Sequence, residues 1–96
     1  MSLFFINHQH GADTCPARDP EMGNQLLLHI SRMNAQKYGV HIVSDAVIDG
    51  EHTFVLLVEA ADEKVVRQFM QPFAMAGTVD IKPASHCETV VERAGC

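Results

Sequence analysis

The sequence predicts one α+β domain over residues 1–96, in which strands and helices follow the order βαββαβ and a short helix ends the chain. Short apolar runs at residues 3–7 and 54–58 are typical of buried central strands. Apolar residues recur every three or four positions between Met22 and Met33, which indicates an amphipathic helix. Asp49 and Gly50 form a strong hairpin signal between two further strands. Together these patterns predict the order of the elements.

Other signals predict where each element begins and ends. Asp19 can cap the first helix and Gly39 can end it. The hairpin strands cover residues 40–48 and 52–59. Asp62 can cap a second helix, which Pro72 should end or kink. A last strand is predicted over residues 79–82 and stops at Pro83. A tail helix over about residues 85–94 should start with a capping box of Ser85 and Glu88.

Composition and charge exclude several classes of partner. The chain has a formal net charge of −5 and no run of Lys or Arg, so we expect it to bind neither nucleic acid nor an anionic membrane. No apolar stretch reaches transmembrane length, and the apolar run near the start is too short for a signal peptide. We therefore expect a cytoplasmic protein whose three cysteines are thiols or metal ligands rather than disulfides.

Two βαβ halves in this order form a ferredoxin-like sandwich, an antiparallel four-stranded sheet with two helices on one face. The other face of the sheet then needs a cover, because Phe5, Val43, Val55 and Leu57 cannot all lie against the helices. An exposed apolar patch of that size is rare on a monomer. We therefore expect a homodimer that packs through this open sheet face.

The first strand runs directly into a histidine-rich segment followed by glycine, Phe4-Phe5-Ile6-Asn7-His8-Gln9-His10-Gly11. With this segment, the layout resembles the dimeric α/β-barrel group of ferredoxin-like proteins, which includes small monooxygenases and isomerases. In pattern it is most similar to small bacterial nickel-binding ferredoxin-like proteins, and that resemblance implies a homodimer that binds a metal ion. The sequence departs from their pattern at Cys15 and at His86-Cys87, so the identity of the metal is not carried over.

The segment after the first strand holds the strongest candidate site. His8 and His10 are two residues apart, so both imidazoles point to the same side of a strand that continues through them. Neutral imidazole binds zinc, copper and nickel, and Cys15 can fold back as a soft third ligand. The alternative interpretation is that both histidines lie at an exposed strand end and that Cys15 is a small buried thiol.

Further metal ligands depend on the topology of the sheet. We expect the first and third strands to be parallel neighbours, which would place Glu59 beside His8 and bring His41, at the start of the second strand, to the same end. His86 and Cys87 follow the last strand and should lie at the other end, where only the tail of a second subunit could add them to the site. The candidate ligands are therefore His8, His10, Cys15, His41, Glu59, His86 and Cys87.

Three functions are compatible with these features. The first is a small homodimeric protein that binds nickel, copper or zinc. The second is a small monooxygenase or isomerase that acts on an aromatic or apolar substrate, with His10 or His41 as acid or base. The third is a dimerisation or ligand-sensing module without chemistry of its own. For the enzyme, the predicted pocket lies between sheet and helices and is lined by Phe5, Tyr38, Phe54, Phe69 and Phe73.

Overall fold

The computed structural model describes residues 1–96 and contains a four-stranded antiparallel sheet with the strand order β2-β3-β1-β4. This architecture confirms the predicted α+β class and is compatible with a ferredoxin-like fold. The two apolar runs of the sequence form the two central strands, as predicted. The strands are β1 (Ser2–His10), β2 (His41–Ile48), β3 (Thr53–Ala60) and β4 (Gly77–Ala84).

Five α-helices and two short 3-10 turns connect and follow the strands. None of the helices is both long enough and apolar enough to cross a membrane. The helices are α1 (Pro20–His29), α2 (Arg32–Lys37), α3 (Glu63–Phe69), α4 (Gln71–Ala74) and α5 (Cys87–Glu92), and the 3-10 turns, Ala12–Thr14 and Pro16–Arg18, lie between β1 and α1.

The first helical region is broken at Ser31, so the prediction of one continuous helix was wrong. Ser31 has an extended backbone and caps α2, because its side chain accepts a hydrogen bond from the Asn34 N–H. Asn34 in turn donates through Nδ2 to the His29 carbonyl at 2.7 Å, which gives the end of α1 a partner. Serine and asparagine offer the backbone such alternatives to a continuous helix.

The last strand and the tail helix also differ from their predicted limits. β4 continues past Pro83 to Ala84, which an edge strand tolerates because a proline there need not donate to a neighbour. The predicted capping box is wrong, because His86 rather than Ser85 precedes α5 and its side chain makes no capping hydrogen bond. The Ser85 hydroxyl instead accepts a hydrogen bond from Arg93.

One face of the sheet packs against the helices and the other is open. Phe54, Leu56 and Val58, which alternate along β3, belong to the same buried cluster as Phe69 of α3. On the opposite face, Phe5 is 40% exposed. The open apolar face expected from the sequence is therefore present, and its pairing with a second subunit stays a prediction.

β1 runs antiparallel to both of its neighbours, β3 and β4. The expectation that β1 and β3 are parallel was wrong. The helical crossover makes β1 and β2 parallel, and the hairpin then reverses the chain, so β3 must run the other way. As a result, the end of β1 lies beside the start of β3, and Leu3 rather than His8 is the neighbour of Glu59.

Candidate metal centre

Three side chains converge where β1 ends. His10 is the last residue of β1, Cys15 lies between the two 3-10 turns, and His52 lies directly before β3. One ligand atom from each of these residues, an imidazole nitrogen or the thiol sulfur, lies within 4.8 Å of the corresponding atoms of the other two. We call His10, Cys15 and His52 the triad.

The backbone around His10 holds two members of the triad together. The His10 N–H donates to the His52 carbonyl at 3.1 Å, and their rings meet edge to face with centroids 5.4 Å apart. On the other side, His10 is the register partner of Gly77, the first residue of β4. A Cβ atom on Gly77 would overlap the carbonyl oxygen of Gln9, so only glycine lets β4 approach β1 this closely.

The imidazole of His10 is buried without a partner. Both of its ring nitrogens are shielded from solvent, and neither makes a hydrogen bond within the protein. Buried polar atoms are normally hydrogen-bonded, so two unpaired nitrogens on one ring are an exception that calls for an explanation. Burial also lowers the pKa of His10 below its ordinary value, and the nearby charge of His52 lowers it further. The ring is therefore neutral near pH 7 and has a lone pair available.

His52 is held in an unusual backbone conformation. Its φ angle is +50°, in the left-handed region that residues other than glycine rarely adopt. Such conformations persist only where the surrounding structure enforces them, and they are concentrated at functional sites. The hairpin thus directs the side chain of His52 toward the triad at some expense in backbone energy.

Cys15 reaches the site through a compact turn. The chain reverses after β1 at Gly11, whose carbonyl accepts hydrogen bonds from both the backbone N–H and the hydroxyl of Thr14. Cys15 itself is a free thiol with intermediate exposure. The sequence-based expectation that this cysteine folds back toward the histidines of β1 agrees with this geometry.

His8 lies beside the triad and is only 3% exposed. Its Nδ1–H donates to the Thr78 carbonyl at 2.9 Å, and its ring packs 5.4 Å from His10 and 5.3 Å from Phe73, measured between centroids. Burial lowers the pKa of His8; the hydrogen bond to Thr78 opposes this shift and the charge of His10 adds to it. His8 is therefore a neutral neighbour of the triad with a fixed orientation.

The structure does not bring His41 and Glu59 to this site. They are register partners of each other at the opposite end of the sheet, where Leu3 of β1 is the other neighbour of Glu59. The expected convergence of these residues with His8 was wrong, because it rested on the incorrect parallel pairing of β1 and β3. His52 takes the place that Glu59 was expected to fill.

His86 and Cys87 also lie away from the triad. β4 ends beside the start of β1, with Ala84 opposite Leu3, and the chain then continues into α5. Both side chains are exposed at the start of that helix. Their expected position, remote from His8 within one subunit, agrees with the structure.

Sequence reasoning missed His52 because it treated this residue only as the start of a strand. The signal that could have found it is the Asp49-Gly50 turn. A hairpin there reverses the chain, so the start of β3 must lie beside the end of β1, and His52, directly before β3, must lie beside His10.

A cavity of about 340 Å³ opens beside the triad, between α1 and the β2–β3 hairpin. His8 and all three triad residues line it, and nine of its 16 lining residues are hydrophobic. Of the five aromatic residues expected to line a pocket between sheet and helices, only Phe54 and Phe73 do so. Phe69 is instead fully buried in the core, Tyr38 packs against it, and Phe5 lies on the open face.

The triad offers the donors that transition metals prefer. Two imidazoles and a thiolate suit zinc and copper, and imidazole also suits nickel. Sites with three protein ligands typically leave a position for water or another small ligand, whereas sites with four are closed. The geometry thus corresponds to an open site.

The fold and this cluster together define a small α+β domain, compatible with a ferredoxin-like fold, that carries a candidate metal centre. Residues 11–95 match the model of a family described as a domain of unknown function, DUF3303, and the chain belongs to this family. The matched range includes Cys15 and His52 and begins directly after His10. No curated protein matches the sequence significantly. The resemblance to nickel-binding proteins therefore stays a prediction.

Proposed function

We propose that this domain binds one transition-metal ion through His10, Cys15 and His52. The observation that carries the proposal is the triad itself: three ligand atoms lie within 4.8 Å of one another, and both ring nitrogens of His10 are buried without a partner. A metal ion would give one of these nitrogens a partner, because it would be coordinated by the nitrogen's lone pair. It would also account for the strained backbone of His52.

The spacing of the ligand atoms is close to what a metal ion requires. In a tetrahedral zinc site with bonds of usual length, the ligand atoms are about 3.3–3.6 Å apart. The triad atoms are at most 4.8 Å apart, so they have to approach by about 1.5 Å at most. Because the χ2 torsion of histidine is soft, small ring rotations supply this movement.

The ligand types rank the candidate metals. Zinc fits first, since it accepts nitrogen and sulfur ligands in tetrahedral geometry and tolerates an open position. Copper fits next, because two histidines and one cysteine also form trigonal copper sites. Nickel is supported by the two imidazoles and by the sequence resemblance.

His8 is assigned a supporting role rather than a place among the ligands. Its ring packs against that of His10, and its Nδ1–H is already bound to the Thr78 carbonyl. Neighbours of this kind orient a metal-binding histidine and restrict its motion. A His8→Phe variant, which keeps an aromatic ring but no nitrogen, should therefore still bind metal. A loss of binding as large as that in His10→Ala would make His8 a ligand instead.

Metal uptake by untagged protein tests the proposal. After chelator treatment, the protein should take up one equivalent of zinc, copper or nickel in equilibrium dialysis, measured by elemental analysis. His10→Ala, Cys15→Ala and His52→Ala should each lose this uptake. Matched variants at the other end of the sheet, His41→Ala and Cys87→Ala, should keep it.

Three results would contradict the assignment. Wild-type protein that takes up none of the three metals at micromolar concentration removes the metal centre altogether. Loss of uptake in Cys87→Ala would mean that the tail of a second subunit completes the site, and the ligand set would then have to include His86 and Cys87. Retained uptake in Cys15→Ala would remove the thiol from the ligand set.

We also propose that the open sheet face pairs with a second copy of the chain. Phe5 is 40% exposed on this face, next to Leu57, and Asp80 and Lys82 lie 3.6 Å apart on the same face. A face with an apolar centre and both charges at its edge can complement itself across a two-fold axis. Light scattering should give a dimer for wild type and a monomer for Phe5→Glu. A monomeric wild type would contradict the pairing.

A reducing compartment suits this site, because Cys15 must remain a thiol to bind metal. We therefore propose that the domain works in the cytoplasm. A functional site that forms only after oxidation of the cysteines would contradict this location.

A further inference from the structure

We infer that the cavity beside the triad binds a small uncharged molecule that has an apolar body and one donor atom, and that this donor atom occupies the open position on the metal. The inference rests on the proposed metal centre and adds the class of ligand that the centre takes. It follows from the two-sided character of the cavity, from its size and from its charge.

The cavity has a metal-binding wall and an apolar wall. His10, Cys15 and His52 line one part of it. The remainder is mostly apolar and includes Leu26, Leu27, Val47, Phe54 and Phe73. A molecule that fills the cavity would thus touch hydrocarbon along most of its surface and meet the metal at one end. Pockets built in this way, largely apolar with a few convergent polar groups, are typical of small-molecule sites.

The size of the cavity limits the ligand. A volume of about 340 Å³ lies at the lower end of the range for small-molecule pockets, so the body of the ligand is on the scale of one aromatic ring. Leu27 is 63% exposed and Val47 is 61% exposed, although both line the cavity. An apolar ligand would cover part of this exposed hydrocarbon surface and remove it from water.

The charge of the lining disfavours an anion. Asp45 and Asp49 are the charged residues of the lining, and no Lys or Arg belongs to it. A carboxylate or phosphate ligand would therefore meet two like charges, and its only cationic partner would be the metal, whose charge the Cys15 thiolate partly neutralises. An uncharged donor, such as an imidazole nitrogen, a carbonyl or a hydroxyl, avoids this repulsion.

Cobalt-substituted protein provides the test, because the visible spectrum of cobalt(II) changes when a new ligand enters its coordination shell. The probes are imidazole and 4-phenylimidazole, which share the donor atom and differ by one phenyl ring. Wild type should bind 4-phenylimidazole about tenfold or more tightly than imidazole, since the ring is buried in the cavity. Benzoate, which is similar in size but anionic, should bind more weakly than 4-phenylimidazole.

Two neighbouring residues of α1 supply a matched pair of variants. Leu27 lines the cavity, whereas Leu28, which is 69% exposed, does not. Leu27→Trp should fill the apolar part of the cavity and abolish the preference for 4-phenylimidazole over imidazole, with cobalt uptake unchanged. Leu28→Trp should keep the preference of wild type.

The outcomes separate the ligand pocket from the metal centre. Failure of wild type to bind cobalt contradicts the proposed metal centre and, with it, the proposed ligand pocket. Cobalt binding with equal affinity for the two probes contradicts the pocket and leaves the metal centre in place. Equal loss of the preference in Leu27→Trp and Leu28→Trp also contradicts the pocket, because only one of these residues lines it. Benzoate binding as tight as that of 4-phenylimidazole contradicts the preference for an uncharged ligand.

Discussion

The two ends of the sheet carry similar residue types in very different surroundings. At the end where β1 finishes, His10, Cys15 and His52 come from separate parts of the chain and meet beside a cavity. At the other end, His41 and Cys87 are exposed, and no group of three ligand atoms forms there. Both ends therefore hold histidine and cysteine, but only one concentrates them.

Burial, more than residue type, distinguishes the candidate site from the other end of the sheet. The ring nitrogens of His10 are shielded from solvent and have no partner in the protein, so a ligand there would break no hydrogen bond within the protein. The exposed imidazole of His41 keeps its water, and a metal ion would have to displace that water without help from neighbouring ligands. Variants at the two ends of the sheet should therefore respond differently to metal.

The largest contrast is expected in the effect of metal on stability. Zinc that binds the folded state alone, at a free concentration 100 times its Kd, should raise the free energy of unfolding by about 2.7 kcal/mol. Chemical denaturation with and without zinc should detect this increase in wild type and in His41→Ala. The increase should be lost in His10→Ala. Equal stabilisation of His10→Ala and His41→Ala by zinc would contradict the prediction.

A comparison of two glycines should produce the next largest effect. Gly77→Ala places a Cβ against the Gln9 carbonyl and forces β4 away from β1, which should destabilise the fold by about 1–3 kcal/mol. The same change should weaken metal binding, because Gly77 is the register partner of His10. Gly95→Ala is the control, since nothing lies near a Cβ at that position. Urea unfolding gives the free energy of unfolding of both variants. Equal values for Gly77→Ala and Gly95→Ala would contradict the prediction.

The two residues with a positive φ angle, apart from glycines, allow a finer test. Glycine relieves backbone strain in the left-handed region, so His52→Gly should keep or raise stability by about 0.5 kcal/mol while metal binding is lost. Ala94→Gly, at the end of the tail, should have a similar effect on stability without any change in metal uptake. A marked loss of stability in His52→Gly would mean that contacts of the His52 side chain within the protein, rather than a bound ligand, account for its positive φ angle.

The smallest contrast is expected in the pH dependence of the metal-free protein. Burial lowers the pKa values of His8 and His10 in the folded state, whereas in the unfolded chain they return to about 6.5. As the pH falls below that value, the unfolded chain takes up protons first, so the free energy of unfolding should decrease. Denaturation at a series of pH values should show a weaker decrease in His10→Gln. The exposed control His86→Gln should follow wild type, and an identical profile for His10→Gln would contradict the argument.

The sequence allowed most of the fold to be predicted because its strongest signals are local. The apolar runs, the Asp49-Gly50 turn and the caps at Asp19 and Asp62 lie within a few residues of the structure they specify, and the structure contains each of them. The break at Ser31 was missed because it depends on two polar side chains that a hydrophobic pattern does not weigh.

The candidate site was only half predictable, because it depends on contacts between distant parts of the chain. His10 and Cys15 are close in sequence, and a folding-back loop was enough to join them. His52 joins them through the antiparallel pairing of β1 with β3. From the sequence, these strands were expected to be parallel, and Glu59 was therefore expected at this position. Burial of the His10 nitrogens and the cavity beside them follow from packing, which no sequence pattern records.

The hydrogen bond between the His10 N–H and the His52 carbonyl marks the two ends of a long chain segment, which includes α1, α2 and β2. Within α1 no residue is buried, and within α2 only Ala35 is, so few buried side chains hold these two helices to the rest of the molecule, whereas pairing with β3 fixes β2. A metal ion shared by His10 and His52 would act as a removable cross-link that holds the two ends of this segment together in the folded protein. Metal supply would then set how often α1 and α2 detach from the rest of the molecule, and with it the half-life of the protein against a protease.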